Sequence, residues 1–274
     1  MTVWEHMKDF SRRYGNSITV NSTTWHYCRL GSGTPLFLLP GGLRRISFGF
    51  ALLERLATRH VVIAPDFPPV QTIHEFFAAF DAILQAEGIT NFALGGQSYG
   101  GLLAQAYLAY RTQGVERLVL SSTGPANYGK VWLVADYAAI GLVRLIPERI
   151  IKKLLVGGLL KAVPLPEPVR AEWTEALHQV VDHDLSRADI VSHFAVAADL
   201  IRRNPVNPAA YRNWTGRIIV LKADNDPSQS PKDFPRYEKL FGRPVEVIDM
   251  GNMSHIAPIL YPDKYAELYE QALV

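Results

Sequence analysis

Ser98 sits at the centre of Gly96-Gln97-Ser98-Tyr99-Gly100, between an apolar run reading as a strand (Asn91 to Gly95) and an amphipathic run reading as a helix (Leu102 to Tyr110). A serine hydroxyl becomes a useful nucleophile when it is exposed and held beside a base, and a sharp strand-to-helix turn does both. Such a turn crowds the positions two residues away on either side, which is why glycine suits both. Any chain of this length would contain G-x-S-x-G by chance about one time in ten, so the flanking elements and the downstream partners must decide.

The base expected for Ser98 is His255, in Met253-Ser254-His255, directly after the last apolar run and before the last helical one. His74, His178, His183 and His193 lie in helical runs and read as surface or cap residues. A base needs a carboxylate to hold its tautomer and stabilise the imidazolium. The loop Lys222-Ala223-Asp224-Asn225-Asp226-Pro227 offers two aspartates. Asp226, three residues past the small Ala223, can turn inward, whereas Asp224 at the strand end is better placed to cap the turn.

The oxyanion formed by attack on a carbonyl needs backbone N–H donors, each worth about 3 kcal/mol of barrier. One is expected from Tyr99, just after the nucleophile, and the second from Pro40-Gly41-Gly42-Leu43, at Gly42 with Leu43 as the near alternative. Gly41-Gly42 could also be only a tight turn, or hold an anion with Arg44 or Arg45. Asp182-His183-Asp184 imitates a metal motif, but contiguous residues of a helix point in different directions, so neither a metal nor a cofactor is expected.

These residues need a scaffold. Ile18 to Val20 and Thr24 to Arg29 flank the turn residues Asn21-Ser22 and read as a hairpin. Leu36 to Leu39, Val61 to Ala64, Asn91 to Leu94, Leu118 to Ser121, Ile218 to Leu221 and Val245 to Ile248 are short apolar runs suited to strands buried on both faces. Helical runs at Phe48 to Ala57, Ile73 to Glu87, Leu102 to Tyr110, Phe234 to Phe241 and Asp263 to Leu273 separate most of them. The alternation predicts an α/β fold with a mostly parallel central sheet and helices on both faces.

From Ala126 to Trp214 the alternation stops. Helical runs at Val131 to Leu145, Ile150 to Leu160, Val169 to Val181 and Ala188 to Arg203 are punctuated by Pro147, Pro164, Pro166, Pro168, Pro205 and Pro208. Leaving from the carboxyl end of a strand, residues 126–214 are expected to form a helical cap, or lid, inserted in a core made of residues 1–125 and 215–274.

In this order the residues resemble the α/β-hydrolase superfamily over nearly the whole chain: Ala64-Pro65-Asp66 after the third sheet strand, the elbow at Ser98, the acid loop at Asp226 and the histidine loop at His255. The path through Asp66-Phe67-Pro68-Pro69, the compact cap and Asp226-Pro227-Ser228 resemble its maspardin-like branch. Many relatives have His where Pro40 stands and Gly where Ser254 stands. The acidic nucleophile of haloalkane dehalogenases is excluded by Ser98. The resemblance implies a serine hydrolase acting on an ester-like carbonyl through Ser98, His255 and Asp226, with an acyl-enzyme intermediate. The superfamily also contains non-catalytic binding or adaptor proteins, and carbon–carbon bond hydrolases, for which Arg187, Arg202 or Arg203 would have to face the pocket.

Composition limits the rest. The 274 residues, 48% hydrophobic, suffice for a large core, and a net charge of +2 with basic residues no more than paired speaks against nucleic acid. A cap rich in Leu, Val and Ala suits a small or medium apolar acyl substrate. Met1 to Tyr14 lacks the continuous apolar core of a signal peptide, Tyr137 to Ile151 is too short and too charged to span a bilayer, and Cys28 is a lone cysteine. A cytoplasmic protein without a membrane span is expected.

Overall fold

The structure is a computed structural model that describes residues 1–162, 165–167 and 169–274. The chain opens with helix α1 (Val3–Tyr14), started by a capping box in which the Thr2 side chain takes the Glu5 amide and the Glu5 carboxylate takes the Thr2 amide. Strands β1 (Gly15–Val20) and β2 (Thr23–Leu30) form the expected hairpin. Asn21 and Ser22 both have positive φ, the geometry whose twist matches that of the paired strands.

Strand β3 (Thr34–Leu39) leads through a 3-10 turn into α2 (Phe50–Leu56), and β4 (His60–Pro65) into α3 (Ile73–Ala86), which starts on a second capping box, Thr72 with Glu75. Strand β5 (Phe92–Gln97) is followed by α4 (Tyr99–Tyr110) and β6 (Val115–Ser121). Between β6 and the next strand come α5 (Val131–Leu145), α6 (Glu148–Ala162), α7 (Arg170–Gln179), a π-helical turn at Val180–Asp184, α8 (Arg187–Arg203) and the short α9 (Pro208–Tyr211). Pro164 and Pro168, expected to punctuate this stretch, lie outside the described residues. The chain closes with β7 (Arg217–Lys222), α10 (Asp233–Phe241), β8 (Glu246–Asp249), α11 (Ala257–Leu260) and α12 (Pro262–Leu273).

The eight strands form one sheet in the order β1-β2-β4-β3-β5-β6-β7-β8. From β4 to β8 all neighbours are parallel; β1 and β2 are antiparallel additions at one edge. The sheet separates two hydrophobic layers. Phe37, Phe76, Phe80 and Tyr107 pack on one face beneath α3 and α4, while Leu36, Leu53, Val119 and Tyr269 pack on the other beneath α2 and α12. β3, β5, β6 and β7 all run the same way, so the loops after them gather at one edge of the sheet, where open α/β sheets bind ligands. Among the described residues no helix is long and apolar enough to cross a membrane.

Candidate active site

Half-buried Ser98 is held at the tip of a sharp turn by the chain direction. β5 ends at Gln97 and α4 begins at Tyr99, leaving one residue to make the turn. Ser98 takes φ 54° and ψ −120°, a conformation that L residues adopt only under constraint. The constraint is close packing: a Cβ on Gly96 would stand 2.5 Å from the Gly100 carbonyl oxygen, and one on Gly100 would stand 2.2 Å from that of Leu39. The Ser98 amide is anchored on the Ser121 carbonyl, 2.9 Å away. Tyr99, as the first residue of α4, has no carbonyl four residues back to bond within the helix, and among the described residues its N–H has no partner at the positive end of the helix dipole.

Asp226 and His255 come together from the loops after β7 and β8. His255 Nδ1 lies 3.0 Å from Asp226 Oδ1, and Ser228 Oγ lies 2.6 Å from the same oxygen and 3.1 Å from the ring nitrogen. Ser228 Oγ also reaches the Ser122 carbonyl at 2.6 Å, and the Ser228 amide donates to Asp226 Oδ1 at 2.8 Å. Asp226 is 4% exposed. Burial by itself pushes its carboxyl pKa up, but the hydrogen bonds from His255, Ser122 and Ser228 outweigh it and bring the value down to about 2. Asp226 is therefore an anion at neutral pH. Asp224 remains at the surface in an ion pair with Lys222, 2.6 Å apart. The histidine loop is tied down from below, where Gln97 Nε2 donates to the His255 carbonyl at 3.1 Å. Asn225 and Ser254 form a bridge between the acid and histidine loops.

The loop after β3 lies against the elbow. Arg44 N donates to the Gly41 carbonyl at 3.0 Å, closing a turn with Arg44 at φ 65°. A Cβ on Gly41 would come within 2.4 Å of Gln97 Oε1 and 3.6 Å of Ser98 Cβ, while one on Gly42 would meet His193 Cε1 at 3.0 Å. Among the described residues the amides of Gly42 and Leu43 have no hydrogen-bond partner. Both residues border the same cavity as Ser98.

Ser98, Gly41, Gly42 and His255 border one cavity of about 400 Å³. Its other walls include Leu155 and Leu159 from α6 and Trp173 and Leu177 from α7. A cavity of this size and lining suits a small or medium apolar ligand with one polar end.

His193 is the wall residue that sequence reasoning misplaced. His74, His178 and His183 are exposed as expected, but His193 reaches inward from α8 to the cavity and stacks on Tyr99, ring centroids 4.2 Å apart. Burial, reinforced by the nearby Arg44 charge, lowers its pKa to about 4 and keeps it neutral. Ser228 and Gln97 were also missed. Their contacts to the histidine loop cross between segments distant in sequence, although Ser228 also bonds Asp226 locally, two residues away.

The arginines of the loop after β3 are held by neighbouring groups, with Nη1 of Arg44 alone of their buried nitrogens left without a partner among the described residues. Buried Arg44 donates to the carbonyls of Phe67 (3.1 Å) and Pro68 (2.6 Å) and to Ser192 Oγ (2.9 Å), and Arg45 lies 3.3 Å from Asp189 Oδ1. Arg187 donates to the Val143 and Arg144 carbonyls, and Arg202 and Arg203 both pair with Asp199; none of these three borders the cavity. Among the described residues no group of three or more His, Cys, Asp or Glu is placed to hold a metal ion, and Asp182, His183 and Asp184 lie in the π-helical turn.

A sequence profile of the alpha/beta hydrolase family matches residues 36–268, most of the chain. The protein belongs to that family. Compared with curated proteins, the sequence has no match. Solved structures share the fold at low identity. The wild-type Cfl2 protein of Burkholderia cenocepacia is 20% identical with a TM-score of 0.74, the alignment covering 94% of each chain. A putative lipase from Acinetobacter baumannii is 16% identical with a TM-score of 0.75, over 100% of this chain and 96% of the other. A thermophilic esterase from Thermogutta terrifontis is 18% identical with a TM-score of 0.73, over 94% of this chain and 97% of the other.

Proposed function

We propose that the protein is a serine hydrolase of ester-like carbonyl substrates with an apolar acyl group, using Ser98, His255 and Asp226. The observation that carries the reading is the 3.0 Å contact of Asp226 with His255 beside a leucine-walled cavity that Ser98 also borders. With Nδ1–H donated to ionised Asp226, His255 Nε2 carries a lone pair. That nitrogen accepts the Ser98 proton as Oγ bonds to the substrate carbonyl carbon. The amides of Tyr99 and Gly42 stabilise the oxyanion, with Leu43 as the alternative donor. Collapse of the tetrahedral intermediate expels the alcohol, which takes the proton back from His255, leaving an acyl ester on Ser98. A water activated by His255 then attacks that ester, releasing the acid and restoring Ser98. Residues 126–214 act as the cap that supplies the apolar walls.

A p-nitrophenyl ester panel of increasing chain length, run beside Ser98→Ala, tests this. Hydrolysis lost in the variant, with fluorophosphonate labelling of Ser98 in the wild type, is expected. Absence of both in a folded protein overturns the proposal. One observation favours a binding module instead: among the described residues no hydrogen bond joins Ser98 Oγ to His255. Such contacts often tighten only when substrate is bound. A folded, unlabelled protein that still retains a fatty acyl ligand would select the binding reading.

A further inference from the structure

Helices α5 and α6 carry a surface unlike the rest of the molecule. Of the thirteen large apolar side chains exposed among the described residues, eight lie on these two helices. On α5, Val131, Val134, Leu142 and Leu145 fall on one face by helical spacing, with Leu145 84% exposed. On α6, Ile150 and Leu154 repeat at i, i+4 and are 49% and 62% exposed. Other sides of each helix pack inward, through Ile140 on α5 and through Ile151 and Val156 on α6.

Basic residues are interleaved with these apolar ones. Residues 126–162 contain six Lys or Arg and two Asp or Glu, a net charge of +4 in a chain whose total is +2, so the remainder carries −2. Lys152 is occupied by Glu148 and the Asp182 carbonyl. Arg144, Arg149 and Lys153, at the corner where α5 gives way to α6, have no ion-pair partner among the described residues. Arg187 fixes that corner by donating to the carbonyls of Val143 (3.2 Å) and Arg144 (2.7 Å) at the end of α5.

We propose that the α5–α6 corner docks onto an anionic lipid bilayer. Leu145, Ile150 and Leu154 enter the interface while Arg144, Arg149 and Lys153 meet the acidic headgroups, the combination by which amphipathic helices lie on anionic membranes. A second copy of the chain is the poorer occupant. A two-fold contact sets the same patch against itself and so places Arg144, Arg149 and Lys153 against their own copies. The surface is also functionally placed, since Leu155 and Leu159 on the inner side of α6 form a wall of the cavity that Ser98 borders. The docking itself does not require Ser98 to be a nucleophile.

The test is cosedimentation with vesicles of phosphatidylcholine alone and of equimolar phosphatidylcholine and phosphatidylglycerol, using the wild type, Arg144→Gln/Arg149→Gln/Lys153→Gln, Leu145→Ser/Leu154→Ser and Ser98→Ala. Binding to the phosphatidylglycerol vesicles at least about tenfold tighter than to phosphatidylcholine, weakened by salt and reduced about tenfold or more in each corner variant, is expected. Ser98→Ala should bind as the wild type does, so docking is read separately from hydrolysis. The substituted side chains are exposed, and circular dichroism confirms that each variant is folded. Failure of the wild type to sediment with anionic vesicles, or equal binding by the corner variants, overturns the proposal. So does a dimer in solution that the Leu145→Ser/Leu154→Ser variant dissociates, which would give the face to a second copy.

Discussion

His193 lies nearly flat on Tyr99, with ring centroids 4.2 Å apart and 26° between the planes. The stack joins α8 to the residue that follows Ser98, and it brings the imidazole against Gly42, where a Cβ would meet His193 Cε1 at 3.0 Å. The Tyr99 hydroxyl donates to the His193 carbonyl at 3.3 Å, a second tie between the same two residues. Arg44 with Ser192 and Arg45 with Asp189 tie the same helix to the loop after β3, so α8 is fastened to the core by several contacts of which this stack is the one beside Ser98.

This imidazole predicts a pH dependence of stability. Its pKa is about 4 when folded, against 6.5 for a free histidine, so between those values the unfolded chain binds a proton that the folded chain refuses. Stability therefore falls as pH drops from about 6.5 to about 4 and levels off below. His193→Phe keeps an aromatic ring on Tyr99 and removes the titration. Urea unfolding at successive pH values should show a shallower decline for this variant over that window; an unchanged slope would show that His193 is not held neutral.

The same residue marks the boundary of what can be read from sequence. The short apolar runs that are buried on both faces became β3 to β7 because little else in the chain can occupy the middle of a sheet, and Ser98 was legible because its turn needs small residues at fixed offsets. Val245 to Ile248, expected to be buried in the same way, instead supplies the edge strand β8 with Val247 45% exposed, because among the described residues no further helix or strand covers that edge. Asp226 and His255 were legible from their positions after successive strands. His193 lies in a helix whose rotation about its axis is set by packing on the core, and the pattern of α8 alone does not say which side faces the cavity. The contacts of Ser228 and Gln97 with the histidine loop span 27 and 158 residues of sequence, which no local spacing encodes; the two-residue step from Asp226 to Ser228 encodes only the turn between them.

Asp226→Asn tests the acid. An amide at this position cannot stabilise the imidazolium and permits the wrong tautomer of His255, so kcat/KM for an ester substrate should fall on the order of 10³- to 10⁴-fold with the fold retained. Asp226 also has a stability signature opposite in origin to that of His193. Its pKa is about 2 in the fold against 3.8 for a free carboxyl, so its contribution is complete above about pH 4 and is lost as pH falls toward 2. Acid unfolding followed in both proteins should show that loss in the wild type only.

Glycines of the elbow and of α6 should respond in opposite directions. An Ala side chain at Gly96 or Gly100 runs into backbone at 2.5 Å or less, which flexible side chains cannot relieve. Each substitution should cost roughly 3 kcal/mol or more in denaturant unfolding and abolish ester hydrolysis. Gly157 and Gly158 have nothing within 4 Å of an added Cβ and sit inside α6. Alanine at either should raise stability by about 0.5–1 kcal/mol.

Ser98 itself carries the last prediction. Its φ of 54° with ψ −120° persists because Gly96, Gly100 and the Ser121 carbonyl leave the turn no alternative. Glycine accepts that conformation without a Cβ penalty, whereas alanine does not. Ser98→Gly should therefore be more stable than Ser98→Ala by on the order of 1 kcal/mol, despite glycine's larger entropy in the unfolded chain. Both variants should lack hydrolysis, so the comparison isolates the backbone from the chemistry. Equal midpoints in denaturant for the two would mean that the turn stores no strain at Ser98.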